Sequence, residues 1–277
     1  MAQSLLESKH SSEELVIPSS LNFIAPTVVD GLIRVGPTND GGYVIPEFLI
    51  EEADFLVSFG LDEDWSFDEH FKKLNPSIRI HAYDHTISER LLLRRLLGSI
   101  ARTCLGKSSL KNVSRRFRLL KSYSAFFSNS GKHFQERVYS RPDLSYDTTL
   151  DKVFARANSE RVFLKIDIEG SEYRIIDDIL KFADRIVGMV IEFHDTEPLR
   201  SVFATSIRKL QADFEIVHLH ANNCSGIGRD QLPEVLEITF IKKSRCQTDM
   251  KRTSLPIPLI DSPNNSSVDD YRMKFIF

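Results

Sequence analysis

The sequence predicts an α/β protein: a mostly parallel sheet with helices on both faces, plus a basic helical insertion. Three observations carry this expectation. Short apolar runs, β-branched or aromatic and bounded by breakers, recur along the 277 residues. Between them lie stretches with apolar residues at three- and four-residue intervals, the pattern of helices packed on a sheet. The order is strand, helix, strand, helix, as a parallel sheet covered on both faces requires.

Residues 2–15 read as a short helix or frayed arm, within an N-terminal arm spanning 1–30. The main domain is expected over 31–250, opening with a Gly-rich turn at 39–43. Its strands are expected at 54–59, 78–83, 161–166, 186–193, 214–219 and 235–241, and its helices at 66–74, 171–182 and 198–210. The insertion covers about 87–128, and from Glu89 to Lys121 it holds ten Lys or Arg against one acid, Glu89. Leu91, Leu92, Leu96, Ile100 and Leu105 fall on one side of a helical reading, so the insertion is open to three roles: a solvated cap, an amphipathic lid, or a contact for a partner or an anionic surface. The tail, 251–277, reads as extended chain whose final DYRMKFIF docks on the body.

Composition excludes several classes. Hydrophobic residues make up 42% and charged residues 27%, an ordinary globular balance. The net charge of -3 gives no electrostatic reason to expect nucleic acid. Cys104, Cys224 and Cys246 are odd in number and lack CxxC spacing, which argues against a disulfide framework or zinc ribbon and for a reducing compartment. No stretch approaches the roughly 18 uninterrupted apolar residues of a membrane span, and no basic n-region leads an apolar run, so the chain reads as cytoplasmic.

In open α/β sheets ligands bind at the carboxyl ends of the strands, so chemistry is sought there. Gly60 ends the first strand, where a bound cofactor needs close backbone approach, and Asp64 stands ready to cap the next helix. Asp84 ends the second strand, either as acceptor for the two hydroxyls of a ribose or as a helix cap. A GxGxxG fingerprint is absent, which counts against a nicotinamide, flavin or nucleotide-sugar enzyme. In KIDIEGSE, alternation puts Lys165, Asp167 and Glu169 on one side of the strand, and Gly170 lets the chain turn into a helix. Glu192 and His194 repeat the spacing on the next strand. His218 and His220 repeat it again, followed by Asn222 and Asn223. Charges on strands that should be apolar on both faces need water, partners or a ligand.

These residues resemble the FkbM-type methyltransferases. The likeness is carried by RVGPTNDGGYVI at 34–45, SFGLDEDWSF, DTTLDKVF at 147–154, FLKIDIEGSEYRII, VIEFHD, HLHANN and LPEVLEITFI, and it covers roughly residues 34–241. The resemblance implies a Rossmann-like class I methyltransferase fold, S-adenosylmethionine as donor and a hydroxyl of a sugar, glycan or small metabolite as acceptor. It implies Gly60 and Asp84 at the cofactor, joined in our assignment by Asp64 and the Asp40, Gly41, Gly42 turn. Asp167, Glu169, Glu192 and His194 then line the reaction site with Lys165. Two features depart from the family: the first-strand loop lacks a glycine cluster, and the basic insertion has no counterpart.

Methyl transfer to oxygen profits from a base, and neutral imidazole takes a proton near pH 7, so His194 is the expected base with Glu192 or Asp167 fixing its tautomer. A purely structural His194 is the alternative. His218, His220, Asn222 and Asn223 are expected to bind substrate. A divalent metal among the carboxylates and histidines is a second version, disfavoured for want of a tight motif, and no metal site is assigned. The rival class is a noncatalytic binding protein that keeps the fold.

Overall fold

The computed structural model describes residues 14–277, so the short helix or arm expected over 2–15 falls largely outside the described residues. Along the chain come β1 (Glu14–Ile17), β2 (Leu32–Val35), β3 (Tyr43–Pro46), α1 (Phe48–Glu52), β4 (Phe55–Phe59), α2 (Ser66–Leu74), β5 (Arg79–Tyr83), α3 (Glu89–Cys104) and α4 (Leu110–Asn129). They are followed by β6 (Lys132–Phe134), β7 (Arg137–Val138), β8 (Asp147–Thr148), α5 (Leu150–Ala157), β9 (Val162–Ile166), α6 (Ile176–Lys181) and β10 (Ile186–Phe193). Last come α7 (Arg200–Leu210), β11 (Phe214–Ala221), β12 (Leu236–Lys242), β13 (Ser254–Leu255) and β14 (Arg272–Phe275). The principal sheet has seven strands in the order β11-β12-β10-β9-β4-β5-β6, which is the expected Rossmann-like α/β class. Among the described residues no helix is long and apolar enough to cross a membrane.

The chain divides into two compact units, Met1–Phe48 with Val190–Phe277, and Leu49–Met189. In the second, β4 pairs in parallel with β9 on one side and β5 on the other, in the registers Phe59↔Ile166 and Phe59↔Tyr83. Every residue of FLVSF and VFLKI is buried, as expected for central parallel strands. α2 lays Phe67 and Phe71 over Phe163, with ring centroids 6.3 and 5.3 Å away. Its acids stand in the first turn and its lysines in the last, in the sense that favours the helix dipole. α5 buries Leu150, Val153, Phe154 and Ala157, one face at helical spacing, and ends at Asn158 in the left-handed region.

Two expectations change here. The helix expected over 171–182 is a 3-10 turn, Glu172–Arg174, followed by α6. The break has a cause: the buried Glu172 side chain turns back and accepts from the amides of Ile168 and Gly170, both at 3.1 Å. The insertion is an α3–α4 hairpin with serine caps at Ser88 and Ser109. Its apolar stripe is not a single buried face, since only Leu92 and Leu96 of the five residues are buried, while Ile100 and Leu105 are exposed.

In the first unit β11 and β12 are antiparallel, from Phe214↔Lys242 to Ala221↔Leu236, and β2 and β3 form a hairpin. The two ends of the described chain meet: β14 pairs in parallel with β1 and antiparallel with β13. The last segment therefore docks as its sequence suggests, by alternating buried Met273 and Phe275 with exposed Arg272 and Lys274.

Candidate functional site

The carboxyl ends of β4, β5 and β9 open on a cavity of about 360 Å³ in the second unit. Phe59, Leu61, Tyr83, Val138 and Ile168 give it apolar walls. Five carboxylates stand among its lining residues, Asp62, Asp84, Glu136, Asp167 and Glu169, against one guanidinium, Arg137. Gly60 and Asp84, expected at the cofactor, both line it.

Gly60 is required by the protein itself. Its φ is +78°, and a Cβ there would lie 1.6 Å from the carbonyl oxygen of Asp167. The neighbouring loop is held by Asp84, whose Oδ2 accepts from the amides of Leu61 (2.8 Å) and Asp62 (2.9 Å). Its Oδ1 accepts from the amide and hydroxyl of Thr86, both at 2.6 Å. Burial would raise the Asp84 carboxyl, but the Thr86 and main-chain bonds outweigh it and hold it below the ordinary range. The cap of α3 is Ser88, so Asp84 is not that helix's N-cap; it shapes the loop after β4 instead.

Buried Lys165 donates to the Gly60 carbonyl at 2.7 Å and to Asp167 Oδ2 at 3.3 Å, tying the ends of β4 and β9 together. Asp68 on α2 is wholly buried, and desolvation lifts its carboxyl to about 7 despite the attraction of Lys165. Strand alternation stops at Ile166. Beyond it Asp167, Ile168 and Glu169 all line the cavity, because Glu169 and Gly170 take positive φ of 53° and 88° and turn the chain over the opening. Asp64 is exposed, accepts from the Ser66 amide at 2.8 Å at the start of α2, and is not among the lining residues.

Glu136 and Arg137 were missed from the sequence, as were His85 and Thr86. The first two follow β6, a strand of only three residues at the edge of the insertion, too short to give a period-two signal. Arg156 forks onto Glu136 at 2.6 and 3.0 Å. Burial would raise Glu136, and that pairing keeps it low. Arg137 forks onto Asp147 at 2.7 and 2.9 Å and holds that carboxyl well below its usual range.

The first unit carries a polar network. Glu192, at the end of β10, accepts from the Tyr43 hydroxyl and from Asn222 Nδ2, both at 3.0 Å. His194 Nε2 lies 3.8 Å from Glu192 Oε1, an ion-pair distance longer than a hydrogen bond. Asp40 Oδ1 takes Asn222 Nδ2 at 3.3 Å and Asn264 Nδ2 at 3.0 Å. In the Gly-rich turn Gly41 has φ +82°, and a Cβ on Gly42 would lie 2.0 Å from the Pro37 carbonyl, which also accepts from Arg34 at 2.8 Å.

The four residues expected to bind substrate are engaged within this unit. His218 Nε2 lies 2.9 Å from Asp261 Oδ1. His220 bridges Glu237 (3.2 Å) and Asp270 (2.9 Å). Asn223 Oδ1 accepts from the Asn265 amide at 2.7 Å, and its Nδ2 donates to the Asn265 carbonyl at 3.1 Å. Asn222 spans Asp40 and Glu192. Three of the four therefore clamp the chain's own C-terminal segment, a role that local spacing does not reveal.

No curated protein matches the chain. Among solved structures, the fibrillarin pre-rRNA processing protein of Methanococcus jannaschii aligns at 11% identity over 70% of this chain and 68% of that one, with a TM-score of 0.39. A putative RNA methyltransferase of Pyrococcus horikoshii aligns at 10% identity over 72% and 79%, with a TM-score of 0.37. Spermidine synthase of Thermotoga maritima aligns at 11% over 72% and 56%, with a TM-score of 0.38. Residues 111–216, which contain KIDIEGSE and VIEFHD, match the model of the Methyltransferase FkbM domain, the family that its motifs resemble.

Proposed function

We propose that the protein is an S-adenosylmethionine-dependent methyltransferase that O-methylates a hydroxyl of a sugar, glycan or small metabolite. The observation that supports this reading is the acid-rich cavity at the ends of β4, β5 and β9. Its apolar walls suit the faces of a purine, and its excess of carboxylates suits a ligand whose sulfonium and ammonium are both positive. A volume of about 360 Å³ is within the range of small-molecule sites.

The donor would supply an electrophilic methyl group and leave as the neutral thioether, its sulfur–methyl bond breaking with the electron pair kept on sulfur. The chain's own residues bind, orient and move the proton. Gly60 and the loop held by Asp84 shape the wall beside the cofactor, Asp62 and Glu136 accept its polar hydrogens, and Asp167 and Glu169 face its positive end. Lys165 positions Gly60 and Asp167. His194 takes the proton of the acceptor hydroxyl as the oxygen–carbon bond forms, and Glu192 supports the imidazolium. Asp40, Gly41 and Gly42 keep the first unit's turn in place near Asn222, while Asp64 starts α2. His218, His220 and Asn223 contribute by fixing the C-terminal segment.

Titration calorimetry with S-adenosylmethionine, followed by a donor-labelled methylation assay on lysate metabolites and glycans, tests the reading. Saturable donor binding with label entering an alkali-stable ether supports it. Failure to bind the donor overturns it and favours a noncatalytic binding protein.

A further inference from the structure

The basic insertion forms a second, open cavity, of about 420 Å³, between α3 and α4. Arg94, Arg95 and Arg102 from α3 and Arg115 and Arg116 from α4 all line it. Like charges gathered round one space repel, so the arrangement needs an anion to offset it. Glu63 supplies part: it pairs with Arg95, Arg115 and Arg116, and although burial would raise its carboxyl, the bonds from Arg116 and Arg95 keep it low. Arg94 and Arg102 have no side-chain partner among the described residues.

The α3 helix is also built to leave room. Arg94, Gly98 and Arg102 stand four residues apart on one face. A glycine inside a helix costs about 1 kcal/mol against alanine. Gly98 has an ordinary helical φ, and a Cβ placed there would meet no atom within 4 Å, so neither strain nor crowding demands it. What it provides is an open floor between two unpaired guanidiniums. Asn112 and Ser108 also line the cavity, and Asn112 Nδ2 donates to Ser108 Oγ at 3.1 Å, adding neutral polar groups to the charged ones.

We propose that the α3–α4 hairpin is a phosphate-binding site, taking a phosphate or pyrophosphate group through forked bonds from Arg94, Arg102 and the α4 arginines. Planar guanidiniums match phosphate oxygens in pairs, and Arg rather than Lys is the residue here at all five positions. The phosphate has two possible carriers, a soluble phosphorylated compound or a lipid headgroup. The second has support at the hairpin tip, where Leu105 and Leu110 are 70% and 78% exposed on either side of Lys107. The site lies apart from the methyl-donor cavity in its lining residues and does not depend on the function proposed above.

The test uses the full chain with inorganic pyrophosphate in titration calorimetry at low salt. Saturable binding is expected, weakened at least tenfold in the Arg94→Glu/Arg102→Glu double variant. Gly98→Leu keeps every charge and fills the floor, so it is expected to weaken binding as well, with a thermal melt confirming that each variant is folded. Flotation with phosphatidic acid vesicles against phosphatidylcholine vesicles separates the carriers. Recruitment that pyrophosphate competes away and that Leu105→Ser/Leu110→Ser abolishes assigns the lipid headgroup. Pyrophosphate binding without recruitment assigns a soluble carrier, and both outcomes support the site. No binding of either probe, or binding equal in the wild type, the double variant and Gly98→Leu, overturns it.

Discussion

The Cα of Gly60 meets the main-chain carbonyl of Asp167 so closely that a side chain has no place: a Cβ would lie 1.6 Å from that oxygen. The two residues follow β4 and β9, and Lys165 fastens the same junction through the Gly60 carbonyl. Gly60→Ala must therefore either push the strand ends apart or abandon φ +78°. The expected cost is roughly 2–5 kcal/mol from overpacking and backbone strain together. Chemical denaturation measures it, and donor affinity is expected to fall at the same time because Gly60 lines the cavity. An unchanged midpoint would show that the junction relaxes freely.

Asp84→Asn tests whether the loop after β4 is shaped by a carboxylate. Four donors converge on two oxygens, and an amide offers only one acceptor oxygen while its NH2 would face protons. The expected loss is about 2–4 kcal/mol of stability. Because the folded carboxyl lies below the unfolded value of 3.8, its contribution is present above pH 3.8 and disappears as pH falls through the folded value. The gap between wild type and variant should accordingly narrow in acid.

Much of this was legible in the sequence because it is local. FLVSF, VFLKI and IVGMVIEF announce buried strands by composition, and the acids that follow them mark the strand ends. The partners of His218, His220 and Asn223 were not legible, since Asp261, Asp270 and Asn265 lie 42 to 50 residues downstream in a stretch of Pro, Ser and Asn. Nothing in spacing connects a strand end to a distant tail. Glu172 was passed over for a related reason: a Glu at a helix start reads as a capping residue, whereas here it folds back and ends the regular helix before it begins.

His194→Ala is expected to lower turnover by about 10²–10⁴, the range of a lost general base, with donor affinity within twofold of the parent. Glu192→Gln is the companion variant, because a positioning carboxylate and a purely structural one differ in a measurable way. Removing the negative charge 3.8 Å from the imidazole should move the acid limb of the kcat/KM profile to lower pH, since the protonated ring loses its support. Parental turnover in His194→Ala would remove it from the chemistry.

His220 gives the last prediction, and its sign is fixed by two carboxylates. Burial alone would lower the imidazole, yet Asp270 and Glu237 on its two nitrogens raise it to about 10, against 6.5 for a free ring. Between those values the folded protein holds a proton that the unfolded chain has released, so stability falls as pH rises. The contribution is complete below pH 6.5 and is lost by about pH 10. His220→Gln keeps a polar side chain without the titration, and the difference in unfolding free energy from wild type should shrink steadily from pH 6 to pH 10. Asp270→Asn should reproduce part of that loss and increase amide exchange in the segment around it, because that carboxylate is the tail's own contribution to the bridge. A pH-independent difference for His220→Gln would mean that the ring is neutral and the clamp is an ordinary hydrogen bond.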